Sequence, residues 1–282
     1  MDTLTKIGKS VIHCGKNNNR IYLMSLDFSD LPIIIDQLDR LASEEGYTKI
    51  IAKVPTYAKE IFENSGYIEE ASIPYFYQDK ESSHFFSKYL DNNRRVDPFK
   101  ENCIQVLKKA KLKKGIQDIK PLEEHFFCRM ATEEDVEDMA LVYQQVFKSY
   151  PFPIQDKTYL LKTMKENVVY FGIWNKKKLV ALSSIEISKD YANAEMTDFA
   201  TIEDYRGKGF AGYLLDEMEK KLHSMEIYTA YTIARAKSFG MNITFSKQGY
   251  TYSGTLINNT NISGHIESMN IWYKSLRNLC NS

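Results

Sequence analysis

The sequence predicts an α/β (α+β) fold in two units, residues 1–124 and 125–282, on three observations. Apolar runs of strand length alternate with stretches of helical period along most of the chain. Two apolar runs, 168–174 and 179–187, flank the turn Asn-Lys-Lys-Lys, which is a hairpin signal. The pattern F-x-x-x-G-Y occurs at 62–67 and again at 245–250, each time where a helix gives way to a strand. Such an echo is expected of two related half-units.

The elements follow in order. Residues 20–26 (RIYLMSL) alternate loosely and read as a strand. Residues 30–45 carry apolar side chains at helical spacing, with Asp30 placed as N-cap and Pro32 in the first turn. Residues 49–54 are β-rich, 56–64 form a short helix ended by Gly66, and 67–77 form a strand interrupted by Pro74. The lysine-rich stretch 92–124 reads as a solvated helix and basic linker: it has no interleaved aromatics to suit a polyanion. A strand at 126–130 opens the second unit. Thr132 to Asp135 resembles a capping box at the head of a helix running to Phe147, and a second helix covers 156–166. After the hairpin come a strand at 194–201, a helix at 209–224, a strand at 228–234, a helix at 238–247, and strands at 250–256 and 267–273.

Composition excludes several classes. The formal net charge is zero, so nothing favours nucleic acid or an anionic membrane as partner. Cys14, Cys103, Cys128 and Cys280 are scattered, and the five histidines show no ligand spacing, so neither a disulfide framework nor a metal site is expected. No signal peptide and no apolar run of the ~20 residues needed to span a bilayer is present, so a cytoplasmic location is expected.

The stretch YRGKGFAGYLL, beginning at Tyr205, carries the chemistry. It lies between a strand and a helix, where free backbone N–H groups and the helix dipole favour an anion. It is not a P-loop. Gly207, Gly209 and Gly212 fit the letters G-x-G-x-x-G, but the following strand, TAYTIARA, has no acidic residue and a meander precedes it, so a dinucleotide is not expected.

Arg206-Gly-Lys-Gly209-Phe-Ala211 resembles the [RQ]-x-x-G-x-[GA] signature of the GNAT family of acetyl-CoA-dependent N-acetyltransferases, and the element order from 126 to 282 is similar. The resemblance implies a GNAT fold with a mixed, twisted sheet flanked by helices. It also implies that the amides of Gly207, Lys208, Gly209, Phe210, Ala211 and Gly212, with Arg206, cradle the pyrophosphate of acetyl-CoA. Phe199, Ala200 and Thr201 would hold the acetyl carbonyl and pantetheine arm. No metal is implied. The N-terminal half-GNAT-like unit lacks such a loop; it is expected not to bind CoA, and to pack against the second unit or help form a homodimer. Over nearly the whole chain, including the segments DFATIEDYRGKGFAGYLL and ARAKSFGMNITFSKQGYTYSG, the sequence is similar to the β-lysine N-acetyltransferases. That implies a small-molecule amine acceptor, the terminal amine of 3,6-diaminohexanoate, and N6-acetyl-β-lysine, a compatible solute, as product. Another diamine, an amino acid or a protein lysine remains open as acceptor, as does a non-catalytic CoA sensor.

Amine acetylation by direct attack needs a neutral amine, although an alkyl ammonium has a pKa near ~10.4. Glu195, eleven residues before Arg206, is the first candidate base because some GNAT enzymes place a carboxylate there; Asp198 is the second. On an ideal strand the two face opposite ways unless a bulge intervenes. The position four before Gly249, where many family members carry a tyrosine acid, is Phe245. Tyr250, Tyr252, Ser238 or water is left to protonate the thiolate. Asn242 is expected to bond the pantetheine amides, Arg235 to meet a substrate carboxylate, and Tyr150, in the SYPFP loop, to act as a lid residue over the substrate.

Overall fold

The computed structural model describes residues 2–116 and 119–277; Cys280 lies outside the described residues. The first sheet is built from β1 (Thr3–Ile7), β2 (Ser10–Gly15), β3 (Arg20–Ser25), β4 (Lys49–Pro55), β5 (Ile68–Tyr77) and β6 (Glu81–Tyr89). Helix α1 (Leu31–Glu45) joins β3 to β4, and α2 (Lys59–Asn64) precedes β5. The spatial order is β1-β2-β3-β4-β6-β5, with β3 and β4 parallel and the other neighbours antiparallel. After α3 (Lys100–Lys111) come β7 (Phe126–Met130), α4 (Val136–Val146), α5 (Lys157–Glu166), β8 (Val168–Asn175), β9 (Lys178–Ser188) and β10 (Asn193–Thr201). The chain ends with α6 (Phe210–Ser224), β11 (Thr229–Arg235), α7 (Phe239–Lys247), β12 (Thr251–Ile262) and β13 (His265–Ser275). The second sheet runs β12-β13-β11-β10-β9-β8-β7, mixed because β10 and β11 are parallel.

The two sheets repeat one succession: a parallel pair joined by a helix, a second helix, and a hairpin whose last strand inserts beside the pair. The repeated sequence pattern shows why. Tyr67 N–H donates to Phe62 C=O at 3.1 Å, and Tyr250 N–H donates to Phe245 C=O at 3.0 Å. Gly66 at φ 81° and Gly249 at φ 84° make the left-handed step that closes each helix. The Phe62 and Tyr67 rings meet edge-on at 5.0 Å, Phe245 and Tyr250 at 5.1 Å.

Three local expectations change. Asp30 precedes α1 but does not cap it; its carboxylate accepts from the N–H groups of Lys9 and Ser10 at 2.8 and 2.7 Å and ties down the β1–β2 turn. The basic stretch is not a free linker, because α3 buries Val106 and Ala110 and packs on α7. The N-terminal strands β1 and β2, and β6, were not legible from the apolar pattern; β1 is almost wholly exposed. Pro74 sits in the edge strand β5, where a missing N–H donor is tolerated.

The sheets pack face to face. Tyr22, Ile51 and Phe85 of the first share one buried cluster with Tyr231, Leu256 and Ile271 of the second. Strands β5 and β12 come closest: a Cβ at Gly254 would lie 1.9 Å from the Glu70 carbonyl oxygen. There Ser72 N–H donates to Ser253 Oγ at 2.8 Å, and the Ser253 hydroxyl donates back to the Ser72 carbonyl. Among the described residues, no helix is long and apolar enough to cross a membrane.

Candidate active site

Strands β10 and β11 pair only at Asn193–Thr229, Ala194–Ala230 and Glu195–Tyr231, although both run on beyond Glu195 and Tyr231. They therefore splay, and a cleft of about 660 Å³ opens between them. One wall carries Thr197, Asp198, Phe199 and Thr201; the other carries Thr232 to Arg235. Backbone N–H groups that a paired strand would consume remain free to meet a ligand along this split.

At its mouth the loop before α6 turns twice through the left-handed region, at Gly207 and Gly209, both at φ 81°. The first bond of the helix is from Tyr213 N–H to Gly209 C=O at 3.1 Å, so the amides of Phe210, Ala211 and Gly212 have no intrahelical acceptor. Gly207, Gly209, Phe210, Ala211 and Gly212 all line the cleft. Arg206 also lines it, held by Nε donation to Thr201 C=O at 3.3 Å. Lys208 does not line it; it pairs with Glu123 at 3.3 Å. Ala200 turns away into the core beneath α4 and α5.

Register slips along β10 between Thr197 and Ala200, and Asp198 adopts φ 55°. This bulge re-aims Asp198, so it and Glu195 share one cavity of about 120 Å³ between the two sheets. Tyr150 and Ser184 hydroxyls donate to Asp198 Oδ1 and Oδ2, each at 2.6 Å. Thr197, Asp198, Tyr150, Ile233, Ile262 and Met269 border both cavity and cleft, so the two spaces meet there.

The cavity is strongly polarised. Glu186 faces Glu195 directly across β9 and β10. Burial, then the Glu186 charge, pushes the Glu195 carboxyl up to about 8, while Lys53 opposes the rise. Burial also raises Glu186 and Asp198, in the latter against the hydroxyl donors Ser184, Tyr150 and Thr197. Burial lowers Lys53, which Glu195 and Glu186 hold up. From the first sheet come Arg20, Tyr22, Met24 and Lys53. The reading of the sequence missed Glu186, Lys53 and Arg20; the available signal was a lone charge inside an otherwise apolar strand, as in SSIEIS and IIAKVP.

The description "Acetyltransferase (GNAT) family" fits residues 136–250. The β-lysine N(6)-acetyltransferase of Methanococcus maripaludis is 42% identical over 97% of this chain and 99% of its own. That of Methanosarcina mazei is 35% identical over 86% of this chain and 97% of its own, and the N-acetyltransferase YodP of Bacillus subtilis 33% over 83% and 85%. The chain belongs to the GNAT family of acetyltransferases. GNAT enzymes use acetyl-CoA, and the residues present suit it: the split strands accept an extended arm, and the glycine loop leaves three helix-start amides for a pyrophosphate.

Within this GNAT frame three expected contacts are corrected. Asn242 is fully buried and saturated: its Nδ2 donates to Arg235 and Ser238 carbonyls, and its Oδ1 accepts from Asn270 and Trp272 at 2.8 and 2.9 Å. It has no group left for pantetheine and acts as a strut behind the cleft. Tyr250 is fully buried, borders neither space and faces Glu219 on α6, so it cannot serve as acid. Arg235 lines the cleft but its guanidinium is held bidentately by Glu267 at 2.9 and 2.7 Å, away from the inter-sheet cavity. Phe245 lines the cleft, packed edge-on against Phe199 at 5.6 Å. Tyr252 bonds Thr255 at 2.6 Å and borders neither space. Ser238 lines the cleft, its Oγ accepting from Met241 N–H, which leaves its proton free to donate.

Proposed function

We propose that the protein transfers the acetyl group of acetyl-CoA to the terminal amine of β-lysine, yielding N6-acetyl-β-lysine. The observation that carries the reading is the junction of the splayed cleft with the acidic inter-sheet cavity at Thr197 and Asp198. Relatives that bear this activity in their names match the chain over nearly its whole length.

When bound, acetyl-CoA supplies the acetyl thioester; the rest falls to the protein. The amides of Gly207, Gly209, Phe210, Ala211 and Gly212 hold the pyrophosphate, and the open edge of β10 at Phe199 and Thr201 offers N–H donors to the arm and the acetyl carbonyl. Asp198 and Glu195 receive the ammonium of the acceptor and take its proton. An ordinary carboxyl, near ~4.3, lies far below an alkyl ammonium near ~10.4. Glu195, raised to about 8, closes more than half of that gap. The incoming cation supplies the charge that ionises it. Tyr150 and Ser184 hold Asp198 at the junction. Ser238 or water delivers a proton to the departing thiolate, which needs little help at its own pKa near ~8.5.

The test is thiol release from acetyl-CoA by the purified protein with β-lysine, lysine, putrescine and a lysine peptide. β-Lysine is expected to give the highest kcat/KM. If lysine or putrescine serves as well, the β-lysine assignment is lost.

A further inference from the structure

The first sheet brings to the inter-sheet cavity a cation, Arg20, that forms no ion pair with a carboxylate among the described residues. Arg20 is 4% exposed and lines the cavity. Its Nη1 donates only to neutral oxygens of β12, the Asn259 carbonyl at 2.7 Å and Thr260 Oγ1 at 3.3 Å. Its Nε has no partner at all. Its charge is favoured only by the Tyr22 ring at 5.3 Å and the more distant Asp2, which do not offset burial: the guanidinium is lowered to about 10.

The neighbouring buried cations differ from Arg20 in having a carboxylate close by or a hydrogen-bond partner for each nitrogen of the head group. Lys49 pairs with Glu70 at 3.1 Å. Arg94 spends its guanidinium on the carbonyls of Asn258 and Asn18, each at 2.7 Å. Lys53 lies in the field of Glu186 and Glu195. A guanidinium taken from water without a counter-charge is strongly penalised, and a bound anion that completes the pair relieves the penalty.

Position along β3 fixes what that anion can belong to. Arg20, Tyr22 and Met24 face the cavity on alternate residues. The Tyr22 ring lies 5.3 Å from the Arg20 guanidinium and its phenol also feels the Glu195 charge, so the cationic and acidic parts of the cavity both reach it. One such step of strand is roughly 7 Å. An acceptor with a carboxylate at one end and an amine about six bonds away fits both.

We propose that Arg20 receives the carboxylate of the acceptor, so that the N-terminal sheet, and not the GNAT sheet, selects ω-amino acids over simple diamines. This rests on reading the inter-sheet cavity as the acceptor site. The fork of Arg20 offers the Nε edge that now lacks a partner.

The experiment uses the full chain with Arg20→Met and Arg20→Lys. Thermal shift and calorimetry with 6-aminohexanoate and with pentylamine report carboxylate binding without requiring turnover. Wild type is expected to bind 6-aminohexanoate, and Arg20→Met to bind it about 30- to 100-fold more weakly. Arg20→Lys should fall between them. In kinetics, the wild-type preference for β-lysine over 1,4-diaminopentane, the same skeleton without its carboxylate, should collapse in Arg20→Met through KM. Acetyl-CoA affinity serves as the check on folding; where Arg20→Met fails it, Arg20→Lys carries the comparison. Equal weakening of 6-aminohexanoate and pentylamine, or no weakening of either, overturns the proposal. A wild type that binds 6-aminohexanoate through Arg20 but ignores β-lysine overturns the β-lysine reading alone.

Discussion

At Asp198 the chain accepts a backbone angle of φ 55°, which costs little for aspartate and much for a branched residue. The bulge turns its carboxylate to the junction of cleft and cavity, where the Tyr150, Ser184 and Thr197 hydroxyls donate to it. Asp198→Asn should lower kcat by roughly 10²- to 10⁴-fold while acetyl-CoA affinity in calorimetry changes little. Glu195 gives a different signature. Its carboxyl, raised to about 8, binds its proton more tightly in the folded chain than in the unfolded one. Its contribution to stability is therefore full below about pH 4.3 and is lost as pH rises through about 8. Glu195→Gln should flatten the fall in Tm between about pH 5 and pH 8, and should remove the rise of kcat/KM through about pH 8 expected of a base with this carboxyl. An unchanged pH–rate profile would assign the base elsewhere.

The elements that shape the cleft are a split pair of strands and a helix entered through glycine. Gly207 and Gly209 need φ 81°, and a Cβ there would meet no neighbour, so the cost of substitution is conformational. Gly209→Ala should lose about 1–2 kcal/mol of local order and raise KM for acetyl-CoA several-fold, with kcat largely kept. Asn242 separates a strut from a ligand contact. Asn242→Ala leaves the Trp272 indole N–H and Asn270 amide without an acceptor, so it should lower stability by roughly 2–4 kcal/mol in urea unfolding. A KM for acetyl-CoA that rises without a loss of stability would restore Asn242 to the cofactor contacts. The helix endings at Gly66 and Gly249 were readable because one glycine must make the left-handed step and one aromatic pair must pack across it.

For the molecule as a whole, the first sheet covers the face of the second that presents Tyr231, Leu256, Met269 and Ile271. Residues 125–282 expressed alone would expose that face, lose α3 from α7 and open the cavity on one side. We expect that fragment to aggregate in size-exclusion chromatography and to show no acetylation of β-lysine. A monodisperse, fully active fragment would mean that the N-terminal sheet has no part in the site. The close approach at Gly254 makes the same point by one atom: Gly254→Ala should push the sheets apart and lower Tm, because backbone on β5 cannot yield as a flexible side chain would.

Local chemistry alone determined a good part of this protein. The glycine loop, the helix that follows it, the hairpin and the repeated helix ending are written in consecutive residues, because φ above zero, strand alternation and capping are settled within a few positions. That is why the anion cradle and the second unit were legible. Tertiary structure decided the rest. Whether Glu195 and Asp198 share a cavity depended on a bulge, a slip between two strands. Asn242, Tyr250 and Arg235 were misread since their partners, Trp272, Glu219 and Glu267, lie 30, 31 and 32 residues away in sequence. Arg20 and Lys53 looked like ordinary cations of a different unit. Only the packing of one sheet on the other placed them opposite the carboxylates, where low polarity turns an isolated charge into a binding demand.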